Sequence, residues 1–495
     1  MLLDFLLTAN RESPARLAIS DGRVSLTYRR LTRLAVVMAD LARDRAGGDH
    51  VGIMLPASTA FPAVMFGALW AGKVAVPLNF LLKPNELEKV VRDAGLKLIV
   101  TVKHFKELAD ALPAEVVFLE DLPIKRRMIL KSIMPLPRAP RVNPDDTAVL
   151  LYTSGTTGDP KGVPLSHGNL HSNCVDTIES LGLDGDQRFL NILPPFHVFG
   201  LTANILVPVA MQATVHAIPR FSPVAVLKGI AEHRITIIMA IPSMYAAMLK
   251  TKSPDRGTFG SVRQAMSGGE PLSASLRTSF QERFGVELFE GYGLTETSPV
   301  ISLCTLSAHK AGTVGRPIPH VETRIVDENG QPAVPGADGE LWVRGPGVMK
   351  GYYGKPEETA KVIVAGGWFT TGDIARIDEE GFLSITGRAK EMLIIGGENV
   401  FPREIETVLE DHADVVQAAV IGIPDESRGE APVAFVTCRE GATVRELELR
   451  NHAKQSLAGY KVPKRILIRD DLPTSPTGKI LKRGLRDLLT PDGGR

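Results

Sequence analysis

The sequence predicts an α/β protein: a large N-terminal domain of layered sheets and helices, then a small α+β domain. Three observations predict it. Over about the first 380 residues, short β-rich runs alternate with helical patterns, as in a mostly parallel sheet covered on both faces. Two later runs alternate apolar and polar residues around a turn-rich stretch at 329–339, which suits an antiparallel pair. Near Gly387-Arg388-Ala389-Lys390 the pattern restarts as an independent unit of about 105 residues. The predicted domains are therefore 1–388 and 389–495.

The elements follow in order. Residues 51–55 read as a buried strand, 60–71 as an apolar helix and 74–77 as the next strand. Residues 98–102, 148–152 and 236–240 read as further strands, and 323–327 with 340–344 as the antiparallel pair. In the second domain the pattern gives a helix at 402–411, strands at 415–421 and 431–438, and a helix at 444–456. The polar end, 490–495, is expected to fray.

Composition excludes several classes. Lys+Arg 57 against Asp+Glu 56 leaves a formal charge of +1, so no global basic field recruits nucleic acid. Cys174, Cys304 and Cys438 lie too far apart for a disulfide framework or a CxxC metal site, which fits a reducing cytoplasm. The N-terminus lacks a basic n-region and carries Asp4, unlike a secretory signal. Two stretches without Asp, Glu, Lys or Arg, 51–72 and 189–219, are long enough to span a bilayer. Pro56 and Pro62 break the first, and Pro194, Pro195 and Pro208 the second, so both read as buried strands and helices. Segment 123–141 holds Lys125, Arg126, Arg127, Lys131, Arg138 and Arg141, no acidic residue, and interleaved Ile, Met and Leu. Its first reading is a solvated surface excursion. The same residues suit peripheral contact with anionic lipid or with an acidic carrier protein.

The most informative run follows the strand at 148–152. It is Thr153-Ser154-Gly155-Thr156-Thr157-Gly158-Asp159-Pro160-Lys161. Gly155 and Gly158 let the backbone approach a polyphosphate closely, Ser154, Thr156 and Thr157 supply hydroxyl donors, and Lys161 supplies a point charge. The spacing is not that of the Walker loop.

In this run, and in the ordered motifs after it, nearly the whole chain resembles the AMP-forming adenylating enzymes. These include acyl-CoA synthetases, luciferase and the adenylation domains of peptide synthetases. The resemblance implies that the loop holds the β- and γ-phosphates of ATP.

The second block is Glu290-Gly291-Tyr292-Gly293-Leu294-Thr295-Glu296. Gly291 and Gly293 free the backbone around Tyr292, whose face suits a purine. Thr295 offers a hydroxyl to the α-phosphate and Glu296 a hard oxygen to Mg²⁺. The family gives these positions the same roles. Gly269, Glu270 and Pro271, in Ser267-Gly-Gly-Glu-Pro271, resemble the segment that frames adenine. Asp373 is a carboxylate suited to a ribose diol, with Arg388 able to reach a second hydroxyl or a phosphate; the family places both on the ribose.

The implied chemistry is attack of a carboxylate on the α-phosphorus of ATP, giving acyl-AMP and pyrophosphate, then transfer of the acyl group to CoA. Two anions must meet, so cations are needed where charge accumulates. Lys479, on a Gly/Pro-rich arm, matches the family's catalytic lysine. The family's C-terminal domain then turns about a hinge, here Lys390, and presents a CoA face, here Gly396, Gly397 and Glu398. His197 matches a position that gates or orients the acid. The acyl pocket is expected around His197, Val198, Gly200, Ile241, Met266, Gly291 and Val300. These are mostly small or aliphatic, with no Lys or Arg to read a second carboxylate, which favours a fatty acid. The alternative acceptor is an acyl carrier protein, and a third reading is a non-catalytic nucleotide- or acyl-binding protein on the same fold.

Overall fold

The computed structural model describes all residues except 155–159, 185, 253–255, 426, 440, 475–479 and 490–495. Its frame is two sheets with parallel centres. The six-stranded sheet runs Glu115–Phe118, Leu98–Thr101, His50–Met54, Val74–Pro77, Thr147–Ser154, Pro160–Ser166. It is parallel except for the closing hairpin, in which Thr153 faces Lys161. The nine-stranded sheet has a parallel centre made of Thr214–Ala217, Arg188–Asn191, Ile237–Ala240, Gln264–Ser267 and Leu288–Gly293. Antiparallel strands Val300–Leu303 and Arg316–Pro317 extend one edge. The strand runs foreseen in the sequence fall on these elements within two residues at either end.

The helix Ala60–Trp70 is buried along nearly its whole length because it is enclosed on all sides. That explains the absence of a polar stripe in its sequence. The second uncharged stretch folds as expected. It gives strand Arg188–Asn191, the helical segments Val198–Leu201, Thr202–Leu206 and Val207–Ala210, and strand Thr214–Ala217. The middle helical piece is a π turn, in which Val207 N–H donates to Thr202 O. Pro208, next in line, has no N–H to continue an α-helical ladder, which favours the widened turn. Among the described residues no helix is long and apolar enough to cross a membrane.

An antiparallel sheet follows, with Glu322–Val326, Gly339–Arg344 and Trp368–Ile377 in that order, and Leu383–Arg388 paired to Trp368–Ile377. After Arg388 comes one 3-10 turn, Ala389–Glu391, and then a separate sheet. There Gly429–Cys438 lies between Val415–Asp425 and the parallel strand Arg465–Arg469, with Leu393–Ile395 on its end. Helices Pro402–Glu410 and Glu446–Ser456 cover it, burying Ile405, Leu409, Val420, Val436 and Leu449 in a core of its own. The long hairpin runs further than its sequence suggested, because Pro424 and Pro432 sit within the pairing instead of ending it. The smaller unit touches the larger one where Phe401 packs on Gly387: a Cβ there would lie 2.8 Å from the ring.

Candidate active site

Strand Leu288–Gly293 and the hairpin Trp368–Ile377/Leu383–Arg388 bring three predicted residues together. Asp373 and Arg388 are direct cross-strand partners, so residues 15 apart in sequence become neighbours. Arg388 Nε donates to Asp373 Oδ1 at 2.8 Å, and Tyr292 hydroxyl donates to Asp373 Oδ2 at 2.5 Å. Asp373 is only 2% exposed. Burial, reinforced by the neighbouring carboxylate, pushes the Tyr292 phenol far above its ordinary value, so it remains a donor. A buried carboxylate fixed from both sides, with one lone pair left on each oxygen, can accept a vicinal diol.

Close approach explains the two glycines flanking Tyr292. A Cβ on Gly291 would meet the Leu303 side chain at 2.6 Å, and one on Gly293 would overlap the Pro299 carbonyl oxygen at 2.0 Å. The chain folds back here so that Thr295 and Glu296 sit on a 3-10 turn, Thr295–Thr297. Glu296 Oε1 accepts from the Tyr352 hydroxyl at 2.9 Å. The Tyr352 ring lies 5.1 Å from Lys161 Nζ, which pairs with Glu358 Oε2 at 2.6 Å. Hydrogen bonds from Lys161 and Lys361 hold Glu358 down to about 2. Glu296, Tyr352, Lys161 and Glu358 thus form one connected set. Among the described residues no group of three or more His, Cys, Asp or Glu side chains could hold a metal. A lone carboxylate such as Glu296 suits Mg²⁺, which takes one or two protein carboxylates and fills its other positions with phosphate oxygens and water.

Tyr292, Asp373 and Arg388 border a cleft of about 860 Å³ between the two units, which Glu296, Tyr352, Lys161 and Glu358 do not line. Gly269, Glu270, Pro271, Gly291, Tyr292, Gly293, Asp373 and Arg388 line one side, and Glu391, Arg403, Glu406, Ile480 and Lys482 the other. Gly269 has a left-handed backbone (φ +80°) beside the Ile241 side chain. Lys482 Nζ bridges Glu391 at 2.6 Å and Glu406 at 2.8 Å. Burial works to lower the Lys482 pKa, but the two carboxylates outweigh it and raise it. Lys479 lies outside the described residues, as do Gly155, Thr156, Thr157 and Gly158; Thr153 and Lys161 flank that loop on paired strands.

The other predicted residues lie elsewhere. Of the acyl-pocket set only Gly291 lines the cleft. Val198 and Met266 are buried in the main core with Val300 packed against it, and Gly200 sits against the Pro194 carbonyl. His197 Nε2 is buried with no hydrogen-bond partner among the described residues, and burial pulls the ring down to about 4, so it is neutral. Gly396 and Gly397 form the two-residue turn between Leu393–Ile395 and Glu398–Val400. Both have positive φ, and they do not border the cleft. The turn alone accounts for both glycines. Lys390 lies in the 3-10 turn leading into the smaller unit.

Tyr352 and Glu358 contact Glu296 and Lys161, and Glu391 and Lys482 line the cleft, yet sequence reasoning does not single them out. The only local signal was the turn-like Gly351-Tyr352-Tyr353-Gly354.

Residues 6–353 match the AMP-binding enzyme family, and residues 404–479 match the AMP-binding enzyme C-terminal domain. The chain is 37% identical over 481 residues to a feruloyl-CoA synthase from an Amycolatopsis species, covering 96% of each protein. It is 36% identical over 513 residues to a long-chain-fatty-acid–CoA ligase from Yersinia pestis, covering 95% of this chain and 91% of that one. ATP-bound MatB from Rhodopseudomonas palustris superposes with a TM-score of 0.90 at 30% identity and 99% coverage of both chains; its apo form gives 0.82. The chain belongs to the AMP-binding enzyme family.

Proposed function

We propose that the protein is an AMP-forming acid–CoA ligase acting on an apolar acid, with a fatty acid as the preferred class. The observation that carries this is the buried Asp373, clamped by Tyr292 and Arg388 on the wall of a nucleotide-sized cleft, in a chain whose relatives are CoA ligases. A second reading, an aryl-propenoic acid, is favoured by the feruloyl-CoA synthase relative.

Asp373 accepts the ribose hydroxyls of ATP, with Arg388 and Tyr292 holding its oxygens in place. Gly269, Glu270 and Pro271 border the base, and Lys161 leaves Glu358 for the outer phosphates, a stronger anionic partner. Thr295 donates to the α-phosphate. Glu296 would hold Mg²⁺, which when bound would supply positive charge beside the outer phosphates. The substrate carboxylate attacks the α-phosphorus, a new P–O bond forms, and the bond to the β-phosphate oxygen breaks. Lys479 stabilises the oxygens on which charge gathers. The CoA thiolate then attacks the acyl carbon and AMP leaves. For that step we propose a division at 388/389 and a turn about Lys390, which would bring Gly396, Gly397 and Glu398 to the site. Neutral His197 orients the acid without adding charge. Val198, Gly200, Ile241, Met266, Gly291 and Val300 would border the acyl chain; this requires side chains now packed in the core to part.

The test is pyrophosphate release with ATP across C4 to C18 fatty acids, benzoate and ferulate, followed by the mass of the product after adding CoA or an acyl carrier protein. Release with fatty acids and an acyl-CoA product support the reading. Release with ferulate alone transfers it to aryl acids, and silence with every acid overturns it.

A further inference from the structure

The basic segment is a helix that the ligase chemistry does not use. Residues Ile124–Ile133 form an α-helix with none of its residues buried. Its orientation is nevertheless fixed. Ile124 and Met128 pack against the main core, Lys131 Nζ pairs with Asp40 Oδ2 at 2.6 Å, and Arg33 donates to the Met134 carbonyl at 2.6 Å. At 100° per residue, the opposite arc carries Lys125, Arg126, Ile129, Leu130 and Ile133. Ile133 is 81% exposed, Ile129 69% and Leu130 55%, and Met134 continues the patch at 43%. One rigid convex surface therefore presents four large apolar side chains beside a cationic end.

The charges sit where the helix itself does not want them. Lys125, Arg126 and Arg127 occupy the first turn, with no acidic residue there and no side-chain cap from Pro123. The helix N-terminus carries partial positive charge, so three cations at that end repel it and an external anion relieves the repulsion. Among the described residues none of these three makes an ion pair with a carboxylate of the chain.

We propose that this helix docks the protein on an anionic lipid surface, with Ile129, Leu130, Ile133 and Met134 entering the acyl boundary and Lys125 and Arg126 on the headgroups. Charge complementarity asks for an anionic partner. The convex shape and the depth of exposed apolar side chain fit a deformable bilayer better than a folded acidic protein, which offers charge but no layer to enter.

Flotation of the full-length protein with vesicles tests it. Wild type is expected to float with phosphatidylcholine/phosphatidylglycerol vesicles and not with phosphatidylcholine alone, and to be released by salt. Ile129→Ser with Ile133→Ser should lower partitioning about tenfold. Lys125→Gln with Arg126→Gln should lower it similarly and flatten the salt dependence. Both double variants should keep the wild-type thermal unfolding midpoint, since the changed side chains make no buried contact. Failure of wild type to bind anionic vesicles, or equal partitioning of the variants, overturns the proposal. So does a wild-type dimer in solution that Ile129→Ser/Ile133→Ser dissociates, or retention on an immobilised acidic carrier protein without vesicle binding.

Discussion

Asp373 and Arg388 face each other across one antiparallel hairpin, and the arginine Nε lies 2.8 Å from a carboxylate that is almost wholly buried. A charge-assisted hydrogen bond of this kind contributes roughly 1.5–3 kcal/mol. Asp373→Asn keeps the shape and removes the charge. It should lower kcat/KM for ATP by about 10- to 100-fold in a pyrophosphate-release assay. Tyr292→Phe removes one donor only and should cost less, about fivefold.

The two glycines beside Tyr292 should differ sharply on substitution. Gly293→Ala places a methyl group 2.0 Å from the Pro299 carbonyl oxygen, a backbone atom that cannot step aside. Loss of adenylation, or of soluble protein, is expected. Gly291→Ala meets a terminal methyl of Leu303 at 2.6 Å, which can rotate. Its cost should be about 1–3 kcal/mol of stability in denaturant unfolding, with activity retained.

Lys482 holds Glu391 and Glu406 with one ammonium. Lys482→Met leaves Glu406, 6% exposed, with only the more distant Arg403 guanidinium at 3.9 Å. Unfolding should show a loss of roughly 2–4 kcal/mol, and adenylation should fall because the strand of chain bearing Ile480 loses its anchor on the cleft. Lys482→Met with Glu406→Leu should recover part of the stability.

Lys479→Ala should abolish acyl-AMP formation, by 10²-fold or more, yet leave thiolysis of supplied acyl-AMP by CoA largely intact. Equal loss in both half-reactions would count against the assignment of Lys479 to the first of them.

His167, His197 and His216 are each pulled down to about 4, mainly by burial. The unfolded chain binds these protons from about pH 6.5 downward, whereas the native protein does so only near pH 4. Their contribution to stability is whole above pH 6.5 and is lost as pH falls toward 4. The thermal midpoint should drop by about 5 °C between pH 7.5 and pH 5, and replacing the three histidines by Gln should flatten that dependence.

The sequence was most legible where chemistry is packed into short runs. Tyr292, Asp373 and Arg388 stand in compact motifs, and the structure joins all three by hydrogen bonds. Tyr352 and Lys482 were not legible, because each matters through a partner far along the chain: Glu296 for one, Glu391 and Glu406 for the other. No local pattern encodes such a meeting. Parallel strands such as Val74–Pro77 read cleanly as apolar runs, whereas Val415–Asp425 read too short because Gly422 and Pro424 look like an ending until a partner strand is present. The acyl-pocket residues show a different ambiguity. Their apolar character was read correctly, but apolar side chains also fill cores, and Val198 and Met266 do so here.

Arg388 is the last residue of its hairpin strand, and only the turn Ala389–Glu391 and Met392 separate it from the next sheet. On the proposed turn about Lys390, the guanidinium that steadies Asp373 is tethered directly to the part of the chain that would reorient. Occupancy by nucleotide and the orientation of the smaller unit then share one free-energy term, and reciprocity follows. Whatever factor the bound nucleotide applies to one orientation, that orientation must apply to the nucleotide's affinity, so AMP departure after the second half-reaction is governed partly by residues that never touch it.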